Sequence, residues 1–344
     1  MQARSLRLPL LLAALAAALL SGCGKKNPTA LNGVSSSGTD QAAVTGAVAA
    51  TTNLVDDGLM EANDQALFSA APPGAASAVR PLRYWRRITD VRRSFSFAFS
   101  DTDTTGRPTR AVVTVHKELS GTFNLVFDAT PDDTMLFDTV GVVHKPLSDL
   151  WVRQILLRRV HRMPDGDMVL GSGPEDGDDH DGGDGDGHRH FRDEWKVAGI
   201  SGVDVRSFNP LAAGPQPAFG VTQIKSLRVQ TATLDTTITD PLQFIMLRRI
   251  HIFAPSEDVM LTATTASKTD VVVLVRTGLR RRFHNNGDNT YTLTWHTSPE
   301  DGLHHFGVNA LSNGTLFDDQ SPYDSDAWIF PYAISPCAMS DYLP

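Results

Sequence analysis

The chain has 344 residues, of which 41% are hydrophobic and 20% charged, a balance that supports an apolar core and excludes a wholly disordered polymer. Its 31 basic and 39 acidic residues leave a formal charge of −8, which gives no cationic footprint for general nucleic-acid binding. Two cysteines, Cys23 and Cys337, are too few for a disulfide framework.

Arg4 and Arg7 precede an uncharged, Leu- and Ala-rich run over residues 8–20, the layout of a signal peptide. A helix crossing a bilayer core of roughly 30 Å needs about 20 apolar residues, and neither this run nor any later segment supplies them, so no transmembrane helix is expected. Leu20-Ser21-Gly22-Cys23 resembles the lipobox of bacterial lipoproteins at all four positions. The resemblance covers residues 1–24 and implies cleavage before Cys23, a diacylglyceryl group on its thiol, and a membrane as partner through that lipid. A single acyl chain binds reversibly at about 0.8 kcal/mol per buried methylene, whereas the several chains of such lipoproteins hold firmly. Gly24 rather than Asp follows the cysteine, with Lys25 and Lys26 next. Under the family's sorting rule this implies the outer membrane of the cell envelope, not the cytoplasm. With Cys23 lipidated, no intrachain disulfide is possible, and Cys337 reads as a packed or tail thiol.

Residues 24–52 are rich in Gly, Ser, Thr, Ala and Asn without periodicity, as in a flexible tether. Over residues 53–70, Leu54, Val55, Leu59, Met60, Leu67 and Phe68 suit a short amphipathic helix interrupted by Gly58. Ala71-Pro72-Pro73-Gly74 breaks the chain, and the folded part is expected to begin near Pro81.

From there the dominant period is two, that of half-buried strands. Phe95, Phe97 and Phe99 alternate with small residues. Ala111, Val113 and Val115 form one strand face and Phe123, Leu125 and Phe127 another, with Glu118-Leu119-Ser120-Gly121 as the hairpin turn between them. Strands follow at residues 195–200, 203–208 and 224–233, while residues 150–160 suit either a strand or a short helix. Past Pro255, Val259, Leu261 and Ala263 share a face, and residues 271–275 suit a central strand. Tyr291, Leu293 and Trp295 follow the turn-forming Asn285-Asn286-Gly287-Asp288-Asn289, and His304, Phe306, Val308 and Ala310 return after Asp301-Gly302. Residues 290–310 look like the late-strand hairpin of immunoglobulin-like domains in exported bacterial proteins, without the intersheet cysteine pair of antibody domains. The likeness implies a β-sandwich and says nothing of ligands. The expected fold is therefore all-β. A signal peptide (1–22) and lipidated tether (23–80) precede an antiparallel β-rich domain (81–253) with an acidic insertion at 173–190, and an immunoglobulin-like β-sandwich follows (254–344).

Two features could bind something. Leu157-Arg158-Arg159-Val160-His161 is echoed by Leu247-Arg248-Arg249-Ile250-His251 and more loosely around Arg280 and Arg281. Guanidinium forks on one face would suit phosphate, sulfate or uronate groups of a glycan, while arginines on exposed strands also block edge pairing. The second feature is the Gly-rich acidic run of Glu175, Asp176, Asp178, Asp179, Asp181, Asp184 and Asp186, followed by His188 and His190. Carboxylates on a pliable backbone could surround calcium, but an EF-hand register from Asp176 or Asp184 meets His180 or His188 where Asp or Asn belongs. Zinc through His180, His188 and His190, and a solvated loop, are the other readings.

No Gly-x-Ser-x-Gly elbow, His-Glu-x-x-His helix, Ser-x-x-Lys pair or Walker loop occurs. Carboxylate pairs for glycoside hydrolysis depend on separations in space that sequence spacing does not encode. Three readings follow: an envelope lipoprotein with a structural or interaction role and no evident catalysis, a lipoprotein binding calcium or an anionic glycan, and an exported hydrolase.

Overall fold

A computed structural model of the chain describes residues 38–51, 54, 58–61, 65–67, 79–128, 140–162, 192–210 and 218–335. Cys23, Cys337 and the whole acidic run of Asp176, Asp178, Asp179, Asp181, Asp184, Asp186, His188 and His190 lie outside these residues. The fold is all-β with antiparallel sheets, as expected.

Helix α1 (Gly38–Ala50) falls inside the stretch read as tether. Its composition is poor in large side chains, so its signal is weak, yet Val44 and Val48 are buried in a shared core. The folded part therefore begins well before Pro81. After β1 (Gln65–Leu67) come four long strands, β2 (Arg80–Thr102), β3 (Pro108–Asp128), β4 (Val140–Arg162) and β5 (Arg192–Asn209), joined as an antiparallel meander. β3 runs straight through the expected turn at Glu118-Leu119-Ser120-Gly121. The Gly there serves a different purpose: a Cβ on Gly121 would lie 2.0 Å from the Arg87 carbonyl oxygen, next to a register shift in β2. Residues 150–160 are strand, because both neighbours in the sheet pair with them.

Shorter elements follow: β6 (Ala218–Phe219), β7 (Ile224–Gln230), β8 (Asp235–Ile238), β9 (Phe244–Met246), a 3-10 turn (Leu247–Arg249), β10 (Ile252–Phe253), β11 (Asp258–Thr265) and β12 (Val271–Arg276). The chain ends with β13 (Leu279–Arg282), β14 (His284–Asn285), β15 (Thr290–His296), β16 (Gly302–Leu311), α2 (Asn313–Phe317) and β17 (Ser325–Ile334). Among the described residues, the large sheet runs β1-β2-β3-β4-β5-β17-β16-β12-β13, and a five-stranded sheet runs β14-β15-β11-β7-β8. β10 adds to β17 in parallel past Pro331, beyond the β5 pairing that ends at Ile329, so the proline's missing N–H falls where the edge partner changes.

The large sheet curls on itself. Tyr84 and Phe123 from its first strands share a core with Val271, Val273 and Leu311 from its last, and β1 comes beside β13. The curled interior holds a second core built from Val113, Val115, Trp151, Ile155, Val205 and Ile329. Behind it, the outer faces of β12, β16 and β17 pack on the five-stranded sheet as a sandwich around Trp295, Phe306, Phe330 and Tyr332.

Two expectations are corrected here. Strand pairing and packing cross residue 253/254, since β5 pairs with β17 and β7 with β11. The stripes Tyr291-Leu293-Trp295 and Phe306-Val308-Ala310 are not a hairpin: β15 pairs with β11 and β14, β16 with β12 and β17, and the two stripes face each other across the sandwich. Two apolar faces bury more by opposing than by lying side by side.

Gly121→Ala is expected to cost roughly 1–3 kcal/mol, because the added methyl must push the β2 backbone away. A lowered urea midpoint with an unchanged slope would show it; an unchanged midpoint would mean that the β2 irregularity does not need the glycine.

Candidate functional site

The inner face of the meander carries an unusual series of cations. Registry places Arg93, Lys117, Trp151, Val205, Ala327, Asn309 and Val273 as successive cross-strand neighbours around the curl. Alternation along β4 adds Asp149, Arg153 and Arg159 to the same face, and β2 adds Arg86. Arg86, Lys117, Asp149 and Arg153 are all buried.

Such charges need partners, and a segment preceding the meander supplies most of them. Asp40 of α1 pairs with Arg159. Glu61 receives Lys117 at 2.9 Å and lies 3.9 Å from Arg93. The Leu54 carbonyl accepts from Arg153 at 3.1 Å, and Met60 Sδ sits 3.6 Å from Arg86. Leu59 and Met60 are buried beside Val44 and Val48. The described residues 38–51, 54 and 58–61 thus form a strap across the cationic face.

Tryptophans complete the floor. Lys117 Nζ lies 4.5 Å from the Trp151 ring centre, Arg153 approaches the same ring at 5.5 Å, and Arg159 lies 5.0 Å over Trp195. Such contacts favour a cation on a desolvated aromatic face. At the N-terminal end of α1 a cleft of 470 Å³ opens between Thr39, Asp40, Thr105, Arg107, Asp193 and Trp195. The β2–β3 turn shapes its rim: the Thr105 hydroxyl and the Arg107 amide hydrogen-bond the Asp103 carboxylate and hold its pKa below the ordinary range. The same turn brings Arg107 to 3.1 Å from Asp193.

One ion pair is wholly interior. Arg86 pairs with Asp149, whose other contact is the Tyr323 hydroxyl at 3.3 Å, itself 2.5 Å from Ser325 Oγ. Burial pushes the Asp149 carboxyl up, against the pull of Arg86 and the Tyr323 hydrogen bond. Asp149→Ala leaves Arg86 buried without its anion and is expected to cost about 3–5 kcal/mol, while the paired change Arg86→Met with Asp149→Leu should cost less. Denaturant melts of the two variants check this, and equal losses would refute the ionic origin.

The six arginines suggested by the repeated pattern do not form one strip. Arg158 and Arg159 point to opposite faces of β4, as Arg280 and Arg281 do on β13. Arg159 is only 5% exposed in its ion pairs, whereas Arg158 is exposed on the outer face beside Arg110 and Lys196 of the adjacent strands. Arg248 and Arg249 are exposed on the 3-10 turn, and Arg281 donates to the Thr294 carbonyl. Sequence reading missed Arg86, Lys117 and Arg153, because each stands alone in an apolar alternation. The available signal was a basic residue at an inward position, as in Val113-Val115-Lys117-Leu119.

A separate acidic group sits where β5 meets β17. Asp204 lies 3.0 Å from Arg206, Asp326 accepts the Ile224 N–H at 2.6 Å, and Asp324 accepts from Thr222 and Ser207. Burial, reinforced by Asp204, pushes Asp326 up to about 7 from 3.8. A carboxyl raised on folding contributes stability that is full below its unfolded pKa and lost as pH rises through the folded one. Relative to Asp326→Asn, which keeps the acceptor oxygen, the parent is expected to lose about 2–4 kcal/mol between pH 4 and 7. Parallel stability curves for the two proteins over that window would disprove it. No group of three or more candidate metal ligands occurs among the described residues.

Compared with protein-family models, with curated proteins and with solved structures, the chain matches none. No described helix is long and apolar enough to cross a membrane.

Proposed function

We propose that this is a cell-envelope lipoprotein, held on the outer membrane by lipid on Cys23, whose folded part has an interaction role and binds another protein. The observation that supports an interaction role is the outer edge of β2. β1 pairs only with residues 83–85, and among the described residues no strand pairs with that edge beyond them. Residues 89–96 are exposed, including Val91 at 37% and Phe95 at 44%. A long open edge carrying apolar side chains is a template for an added strand. Arg87, Arg92 and Arg93 line it, with Asp90 as the one acidic residue of the exposed run. Antiparallel pairing of two copies about this centre would oppose like charges, so the edge fits an acidic partner strand better than itself.

Two measurements test the reading. Expressed in a host with two membranes, the chain should incorporate labelled palmitate, and Cys23→Ser should abolish the label and release the protein from the membrane fraction. A photo-reactive residue at position 95 should form one discrete adduct with an envelope protein, while the same residue at Val221, which is 87% exposed, should form none. Label on the serine variant would overturn the anchoring, and equal adducts or none at the two positions would overturn the interaction role.

A further inference from the structure

The strap over the cationic face joins the core through a few side chains and meets the sheet's cations through its carboxylates. α1 runs for 13 residues but buries only Val44 and Val48, and Gly46 at its centre adds no side chain. Its attachment is both ionic and apolar: Asp40 on Arg159, Glu61 on Lys117 and Arg93, a carbonyl on Arg153, and Val44, Val48, Leu59 and Met60 buried against the sheet. Beneath it, the sheet presents Arg86, Arg93, Lys117, Arg153 and Arg159 to one region and provides Asp149 and Asp193 as its own anions. Among the described residues, these five cations meet two carboxylates of the sheet and two of the strap, Asp40 and Glu61.

We infer that the groove formed by Lys117, Trp151, Arg153, Arg159 and Trp195 is a binding site for an acidic peptide segment with aliphatic side chains from a partner protein, and that the described residues 38–51, 54 and 58–61 are its intramolecular occupant. The features that fix this ligand class are those the strap already uses. Two carboxylates, one at each end of the strap, meet cations stacked on indole rings, and Val44, Val48, Leu59 and Met60 fill the aliphatic space between. The groove opens sideways onto the edge of β2, where Arg93 lies 3.9 Å from Glu61 and the inward-facing Val91 and Phe95 stay exposed. A peptide could begin at that edge and displace the strap progressively as it enters. The site rests on the interaction role proposed above and gives its partner a chemistry.

The test uses the full mature chain beside a version in which Asp40→Lys and Glu61→Lys loosen the strap. The probe is a fluorescent synthetic peptide of residues 38–61, with the doubly substituted peptide as control. The loosened chain should bind the native peptide at least ten-fold more tightly than the parent does, ignore the control peptide, and lose binding when Arg159→Glu is added. Equal affinities for parent and loosened chain, or retention of binding with Arg159→Glu, would overturn the groove as the site. Displacement of the peptide by palmitate would overturn a peptide ligand in favour of a lipid. Should the loosened chain fail to fold, hydrogen exchange on the parent decides. Strap amides exchanging many-fold faster than those of residues 111–119 and 151–157 support a removable occupant, and exchange of both only through global unfolding refutes it. Failure of the peptide to bind while position 95 still forms its discrete adduct would sink the groove and leave the interaction role standing.

Discussion

Everything in this molecule follows from the need to cover β17 on both sides. All ten of its residues are buried, an arrangement that a single sandwich with one wet face cannot provide. Trp328, Phe330 and Tyr332 point to the five-stranded sheet, and Ala327 and Ile329 point to the interior of the curled meander. Two cores thus share one wall. The long strands β2 to β5 must bend around to close over the second face, and the register shifts in β2 and β4 are local irregularities that such bending uses.

A curled sheet that is not fully closed by its own strands has an interior only partly filled by apolar groups. Here the inner face carries cations where a completed barrel would carry leucine or valine. The strap supplies counter-charge on one side and Asp149 on the other, so the cations are met by parts far apart in sequence. Among the described residues, both ends of the buried Asn309 amide are without a hydrogen-bond partner, an arrangement that costs stability.

Much of the β-architecture was legible as period-two alternation. Val259, Leu261 and Ala263, the run at 271–275 and the turn at Asn285 to Asn289 lie where the sequence puts them, because their burial is local and one-sided or complete. Alternation could not say which strands are neighbours. The stripes of Trp295 and Phe306 are equally good as a hairpin or as two facing layers, and only the shared wall of β17 decides between them. Nor could it tell a turn from a strand interior at Glu118-Leu119-Ser120-Gly121, where the glycine relieves a backbone approach inside β3. The site was less legible still: paired arginines such as Arg158 and Arg159 draw the eye, yet adjacent strand residues face opposite ways. The isolated inward basic residues matter more, and their charge is met by groups far away in sequence: Asp149 for Arg86, Glu61 for Lys117 and the Leu54 carbonyl for Arg153.

The position of α1 also sets how the folded part would hang from a lipid. Fourteen residues, 24–37, separate Cys23 from its first residue, a number that in any chain spans at most about 50 Å. Under the proposed anchoring, any load from Cys23 arrives first at Asp40 and Val44 and pulls α1 off the sheet edgewise, one contact after another. The β-core stands behind this peeling point and bears load only after it has given way. Distance from the bilayer and accessibility of the cationic groove would then be one mechanical variable.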